Sequence, residues 1–327
     1  MRVCLVFCVL LGLIRPVCAG DGPLPPPVQR SLEAAAIPPQ AVARVVAPAE
    51  GGQTLVQHRA EAAMNPASLM KLVTTSAALE LLGPAFTFRT EALAVAPVAS
   101  GILEGDIYLR GDGDPKLTHD RLWLLLRELR GRGLKEIRGD LVLDRTAFAP
   151  LEHDPAAFDG KPQRPYNVGP DALLFNFAAI TLTLIPENGG VRVLAEPLPA
   201  DFRIINRLRA VDAQRCSGEW REALTARFNP GELVLTGDYP KSCGEKRWNL
   251  AGLPNGALLA GVFTRLWQEL GGEFSGRWRE DITPASARLL AVSESPPLHE
   301  LVRDINKFSN NVMARQLLLK LGAGDVA

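Results

Sequence analysis

Asn65-Pro66-Ala67-Ser68-Leu69-Met70-Lys71-Leu72-Val73-Thr74-Thr75 is the stretch from which the rest of the chain can be read. Asn followed by Pro is the cap and first-position pair that opens an α-helix. Apolar residues then continue through Ala77, Leu81 and Leu82 to a Gly83-Pro84 stop. The run is apolar almost all round, which predicts a helix buried in the centre of its domain. Ser68 then falls in the first turn, and Lys71, three residues on, shares its face. A hydroxyl is a weak nucleophile until a neutral amine beside it takes its proton. Burial and the helix N-terminal dipole both lower a lysine's pKa toward that state. The first turn also aims the Ser68 backbone N–H at a developing oxyanion. Spacing alone carries little weight, since on the order of one Ser-x-x-Lys arises by chance in a chain of this size. An ordinary surface helix would present the same pair, so the setting has to decide.

Upstream, Val42 to Ala47 and Thr54 to His58 are β-rich runs around a turn containing Gly51-Gly52, which predicts a hairpin. Before them, Ser31 to Ala36 reads as a short helix stopped by Pro38-Pro39, and Asp21 to Pro27 as a Pro-rich linker. The first nineteen residues read as a secretory signal peptide. Arg2 supplies the basic start, Val3 to Ile14 the apolar stretch, and Val17-Cys18-Ala19 the small-residue cleavage site before Gly20. The apolar stretch falls short of the roughly twenty residues needed to span a bilayer. The residues around Cys18 make a poor lipobox, so export with cleavage after Ala19 is expected.

Downstream, the texture from Phe88 to Trp248 is one of short strands and turns, with Thr90 to Val95, Gly105 to Arg110, Gly139 to Leu143, Ile180 to Ile185 and Glu232 to Thr236 the clearest strands. A helix over Arg121 to Arg132 interrupts them. Helical periodicity returns at Ala257 to Leu270, at Pro297 to Asp304 and at Asn311 to Leu321. At the mouth of the last helix lies a second constellation, Asn306-Lys307-Phe308-Ser309-Asn310-Asn311-Val312-Met313-Ala314. The Ser309 hydroxyl could relay a proton between a lysine and a leaving amine, and the Asn311 amide could hold a peptide backbone through paired donor and acceptor. By itself Ser309 is as well read as a helix cap.

Composition narrows the class. At 327 residues and 47% hydrophobic content the chain is globular and long enough for two or three domains. Lys+Arg and Asp+Glu both number 36, so no global field would gather nucleic acid. Removing the leader with Arg2 and Arg15 leaves 34 basic against 36 acidic residues. Cys4, Cys8 and Cys18 lie in the leader, which leaves Cys216 and Cys243 as one candidate disulfide for an oxidising compartment. Such a bridge would contribute roughly 3 kcal/mol by restricting the unfolded chain. His58, His119, His153 and His299 are scattered without carboxylates at ligand spacing, so no metal site is expected. Asp112 and Asp114 in Gly111-Asp112-Gly113-Asp114-Pro115 read as a turn, the run being too short for a calcium loop.

Ser-x-x-Lys combined with Ser-x-Asn belongs to the signature of penicillin-binding proteins and β-lactamases. Met64 to Thr75, Ala78-Leu79-Glu80-Leu81-Leu82-Gly83, Gly111 to Pro115 and Gly139-Asp140-Leu141-Val142-Leu143-Asp144 together resemble the D-alanyl-D-alanine carboxypeptidase/endopeptidase family of penicillin-binding protein 4, peptidase family S13. The long β insertion between Ser68 and Ser309 fits that family, whereas a class A β-lactamase would have a much shorter gap. The resemblance implies an α+β, multi-domain fold: a β-lactamase-like transpeptidase domain from 24–87 and 256–327, interrupted by a mostly β insertion at 88–255. It implies a periplasmic serine D-Ala-D-Ala carboxypeptidase, soluble or in peripheral contact with the membrane, working through an acyl-serine without metal or cofactor. Its partners would be peptidoglycan peptides ending in D-Ala-D-Ala, including the D-Ala to diaminopimelate cross-link, and β-lactam antibiotics as acylating inhibitors. Ser68 would be the nucleophile, Lys71 the proton acceptor, Ser309 the relay and Asn311 the substrate-amide holder. Asn310 stands where the family has Asp, with little expected consequence.

The third element of the signature, Lys-Thr-Gly, is absent from the sequence. In the family it lies on a strand of the central sheet and supplies the second oxyanion N–H. The expectation is therefore a truncated gene product or a fragment, with little or no activity. Two other readings compete: a non-catalytic periplasmic protein that binds peptidoglycan or a partner with the same fold, and a β-lactamase, distinguished by rapid turnover of penicillin.

Overall fold

The computed structural model describes residues 22–213, 215–216 and 218–323, so the predicted leader with Cys4, Cys8 and Cys18 lies outside the described residues. The chain divides into two compact units, residues 1–67 and 68–327.

In the first unit, helix α1 (Pro26–Ala34) begins with two prolines in its first turn, where a missing N–H costs nothing. It takes up the end of the expected Pro-rich linker and starts five residues earlier than the periodicity suggests. The predicted hairpin forms: Arg44–Val46 pairs antiparallel with Val56–His58, Val45 facing Gln57. Gly51 and Gly52 lie at φ of 86° and 120°, a region open to glycine and costly for other residues. The sheet has two strands, and Val45 and Val46 are exposed on it.

The second unit contains helices α2 (Met70–Leu82), α3 (His119–Gly131), α4 (Asn255–Glu269), α5 (Leu298–Phe308) and α6 (Asn311–Gly322). Its largest sheet runs in the order Trp278–Glu280, Leu141–Asp144, Ile107–Gly111, Arg89–Ala94, Arg288–Glu294. A four-stranded sheet of short strands, from Glu273–Phe274 through Glu136–Ile137 and Ile102–Leu103 to Val98–Ala99, accompanies it. Strands from residues 273–294 thus complete both sheets begun by residues 89–144. The remaining strands form two three-stranded sheets centred on Ala179–Glu187 and Glu232–Pro240. The expected bridge between Cys216 and Cys243 is formed. Leu109, Leu126, Leu182, Leu235, Phe263 and Trp267 belong to one continuous buried core that joins these sheets to α3 and α4.

A smaller core of Ala78, Phe88, Leu298, Leu301, Ile305, Met313 and Leu317 joins α2, α5 and α6. Here the expectation that α2 is buried all round is overturned. Its buried residues are Lys71, Thr75 and Ala78, one stripe at i, i+4 and i+7, whereas Leu72, Val73 and Leu81 are exposed. Only α5 and α6 make substantial helix contacts with it among the described residues, and two helices on one side cover one stripe.

The turn at Gly111 to Pro115 fixes this helical layer to the large sheet. A Cβ on Gly111 would stand 2.1 Å from the Ala172 carbonyl oxygen, so the strand end passes the 170–172 loop only as glycine. Gln316 of α6, fully buried, accepts from Asp171 N at 2.8 Å and donates to Gly113 O at 3.2 Å and Asp171 O at 2.7 Å. Lys116 reaches Asp304 of α5 at 2.5 Å. Among the described residues no helix is long and apolar enough to cross a membrane.

Candidate active site

The helix signal at Asn65-Pro66 acts one step differently from its sequence reading. Asn65 Oδ1 accepts from Ala67 N at 2.9 Å, and Ala67–Leu69 form a 3₁₀ turn, so Ser68 stands just ahead of the α-helical part of the run. Ala67 has φ of 45°, and Ser309 sits at 52° where it ends α5. Left-handed backbone at a non-glycine residue costs on the order of 1–3 kcal/mol and persists where the surroundings impose it. Here it falls on Ser309 itself and on the residue just before Ser68. Asn310 is the residue that caps α6, its side chain accepting from Met313 N at 3.0 Å, which frees the Ser309 hydroxyl from the capping role.

The two sequence constellations meet. Lys71 Nζ lies 3.1 Å from Ser68 Oγ, 3.3 Å from Ser309 Oγ and 2.5 Å from Asn311 Oδ1. Ser309 Oγ donates to Ser68 Oγ at 2.8 Å. Ser68 and Ser309 are 241 positions apart in the chain, so no local preference of either segment produces this contact. Ser68 is exposed and Lys71 is buried, which places the hydroxyl at the surface and the amine behind it. Thr75, one turn along the same stripe, accepts from Asn306 Nδ2 at 3.2 Å and donates to the Lys71 carbonyl at 2.8 Å, tying α2 to α5 below the site.

Burial lowers the Lys71 pKa from its ordinary value, and the positive charge of Arg315 lowers it further. Arg315 follows Asn311 by one helical turn on α6, and neither it nor Asn306 was singled out by the sequence reading. Helical spacing from Asn311 and Ser309 was the available signal for both. The Asn311 carboxamide is also in contact with the lysine. Its oxygen is engaged by Lys71, leaving the NH₂ group as the part available to a ligand carbonyl.

Chemically, a neutral Lys71 amine at this distance is placed to accept a proton from the Ser68 hydroxyl, were that oxygen to attack an acyl carbon. The Ser309 hydroxyl, in contact with both, gives a second path for that proton. A cleft of about 780 Å³ opens from this cluster, with Ser68, Ser309 and Asn311 in its wall together with Tyr166, Phe177 and Trp248. Among the described residues no group of three or more His, Cys, Asp or Glu is placed to hold a metal ion. Asp112 and Asp114 serve the turn: Asp112 Oδ1 accepts from Arg89 N at 2.8 Å, and Asp114 Oδ1 from Lys116 N at 2.8 Å.

Residues 27–326 match the D-Ala-D-Ala carboxypeptidase 3 (S13) family. The chain is 26% identical over 272 residues to D-alanyl-D-alanine carboxypeptidase DacB of Haemophilus influenzae, an alignment covering 81% of this chain and 55% of that protein. It is 28% identical over 296 residues to the D-alanyl-D-alanine carboxypeptidase of Actinomadura sp., covering 85% of this chain and 53% of the relative. Among solved structures, the crystal structure of penicillin binding protein 4 from Haemophilus influenzae superposes with a TM-score of 0.67 at 27% identity, over 84% of this chain and 60% of that one. The chain spans about half the length of the curated relatives it matches.

Proposed function

The chain belongs to the D-Ala-D-Ala carboxypeptidase 3 (S13) family, and from that premise we propose that it is a serine-type D,D-carboxypeptidase and endopeptidase acting on peptidoglycan peptides outside the cytoplasm. Ser68 attacks the carbonyl of the penultimate D-Ala, the new C–O bond forms, and its proton passes to Lys71. Collapse of the tetrahedral intermediate breaks the amide C–N bond. The proton reaches the departing amine through Ser309, which touches both Lys71 and Ser68. Water then attacks the acyl-serine by the reverse proton path and releases the shortened peptide. The Ser68 N–H faces the oxyanion and the Asn311 NH₂ holds the substrate carbonyl. A β-lactam enters the same sequence as an acylating agent whose leaving group stays attached.

The observation that carries this reading is the triple contact of Lys71 with Ser68, Ser309 and Asn311, made by segments from opposite ends of the second unit. It supports a lysine poised between the nucleophile and the relay. The test is incubation of residues 20–327 with fluorescent penicillin, followed by mass mapping of the adduct. The expected result is a slow covalent label on Ser68, in keeping with the missing Lys-Thr-Gly element, that is lost in Ser68→Ala. No label on the folded chain would sink the catalytic reading and favour a non-catalytic peptidoglycan-binding protein.

A further inference from the structure

Lys71 touches three groups of two origins. Ser68 lies in the turn that leads into α2, whereas Ser309 and Asn311 stand at the junction of α5 and α6. Helical spacing fixes the first contact. The other two depend on how the end of α5 is set against α2.

Apolar packing does part of this: Ala78 of α2 shares a core with Leu298, Leu301 and Ile305 of α5. That core stops short of the site. After Ile305 the last residues of α5, Asn306, Lys307 and Phe308, are all exposed. Ser309 then ends the helix at φ of 52°, a backbone conformation that its surroundings must hold. Apolar burial has no preferred direction, whereas proton transfer between a hydroxyl and an amine needs hydrogen-bond distance.

The contact that crosses from α2 to this exposed turn is made by Thr75. Its hydroxyl donates to the Lys71 carbonyl at 2.8 Å and accepts from Asn306 Nδ2 at 3.2 Å. Among the described residues this is the one side-chain hydrogen bond between α2 and α5. Thr75 is 1% exposed and lies on the stripe between Lys71 and Ala78, where an aliphatic side chain would suit the helix better and would continue the core. A buried hydroxyl has to be given partners. Here one partner is the backbone that carries the amine, and the other is the residue three positions before Ser309.

We propose that Thr75 and Asn306 are positioning residues whose hydrogen bond sets Ser309 Oγ within proton-transfer distance of Lys71 Nζ. The inference rests on the peptidase reading above and says which part of the reaction depends on that bond. Ser68 and Lys71 are neighbours in sequence, so removal of the Ser68 proton does not need α5. Delivery of that proton to the leaving group runs through Ser309 and does need it. When the amide C–N bond breaks, the nitrogen takes the proton and departs as a neutral amine. When a thioester C–S bond breaks, the sulfur keeps the electron pair and departs as a thiolate, and the proton stays on Lys71.

The experiment compares two substrates with the same acyl group, an N-acyl-D-Ala-D-Ala peptide and the thioester in which thioglycolate replaces the terminal D-Ala. The rate of acyl-enzyme formation on residues 20–327 is read by rapid quenching and mass spectrometry. Thr75→Val keeps the side-chain shape and removes the hydroxyl; Asn306→Ala changes an exposed position and needs no repacking of the core. Each is expected to slow acylation by the amide about 10-fold and by the thioester less than about 2-fold. Thr75→Ser should restore the wild-type ratio, and the double variant should be no slower than the slower single one, since both act through one bond. Equal slowing of the two substrates, or no slowing of either, overturns the proposal. A crystal structure of Thr75→Val reads the same claim without turnover: the Lys71 to Ser309 separation, 3.3 Å in the wild type, should exceed hydrogen-bond range, and an unchanged separation overturns the proposal. A displaced Ser309 in a chain that neither substrate acylates would uphold the positioning role while removing the peptidase reading, so the two claims fail separately.

Discussion

Helices α2 and α4 are both rich in apolar residues and fold by opposite rules. α4 buries Leu258, Leu259, Val262, Phe263, Leu266 and Trp267 in the main core. α2 buries Lys71 and Thr75 and leaves Leu72, Val73 and Leu81 in water. In α4 apolar burial holds the helix. In α2 the buried stripe holds the reactive amine, and its location is set by polar contacts with α5 and α6 through Thr75, Asn306, Ser309 and Asn311. Apolar content in a sequence therefore says how much surface is available for burial, and the neighbours decide which face uses it.

The largest effect that could break this comparison is on stability. Trp267 is fully buried, stacks with Phe263 at 6.3 Å between ring centroids and donates its indole N–H to Glu273 O at 2.9 Å. Trp267→Ala is expected to destabilise the second unit by about 3–5 kcal/mol through a cavity and a lost partner. Val73→Thr, on the outward face of α2, should change stability by less than about 0.5 kcal/mol. Chemical denaturation of the two variants measures both. A large loss in Val73→Thr would mean that the outward face of α2 is buried after all.

A smaller and pH-dependent effect sharpens the point about polar burial. Asp114, in the turn beneath α5 and α6, is 1% exposed, and its Oδ2 has no hydrogen-bond partner. Burial pushes its pKa up to about 7 from an ordinary 3.8, outweighing the opposing hydrogen bond from Lys116 N and the charges of Arg121 and Lys116. Because the folded value exceeds the unfolded one, native Asp114 is neutral and untaxed below pH 3.8, and stability is lost as pH rises through about 7. Asp114→Asn keeps the oxygen that accepts from Lys116 N and carries no charge. It should be more stable than wild type at pH 8 by on the order of 2 kcal/mol and should show a flatter profile between pH 5 and 8. Parallel slopes in the two proteins would show that the carboxyl is ionised without cost.

The local parts of this fold were legible because they rest on local physics. Asn65-Pro66 and Gly83-Pro84 bracket a helix, Gly51-Gly52 turns a hairpin, and Ser68 and Lys71 meet because they are three residues apart. What spacing could not supply was the partner across 241 positions. Ser309 and Asn311 were reached by likeness to a known signature, since no propensity links them to Ser68. Gln316, whose three hydrogen bonds fix α6 to Gly113 and Asp171, gave no signal, for a glutamine on a helix is ordinarily solvated.

The smallest expected effect concerns Arg315, the cation that joins burial in holding Lys71 below its ordinary pKa. Only the neutral amine can take the Ser68 proton, so acylation rises with pH as Lys71 deprotonates. Arg315→Gln removes a positive charge, raises the Lys71 pKa and moves the acid limb of the profile toward higher pH, so that acylation at pH 7 slows while the plateau at high pH is preserved. Arg315 Nη1 is buried without a hydrogen-bond partner, so the shorter polar side chain leaves no acceptor stranded there. Arg315→Lys retains the charge and should keep the limb where it is. The measurement is the rate of penicillin acylation from pH 5 to 10 in all three proteins. A limb that moves equally in the lysine and glutamine variants would assign Arg315 to packing, and the electrostatic control of α2's buried stripe would then rest on desolvation alone.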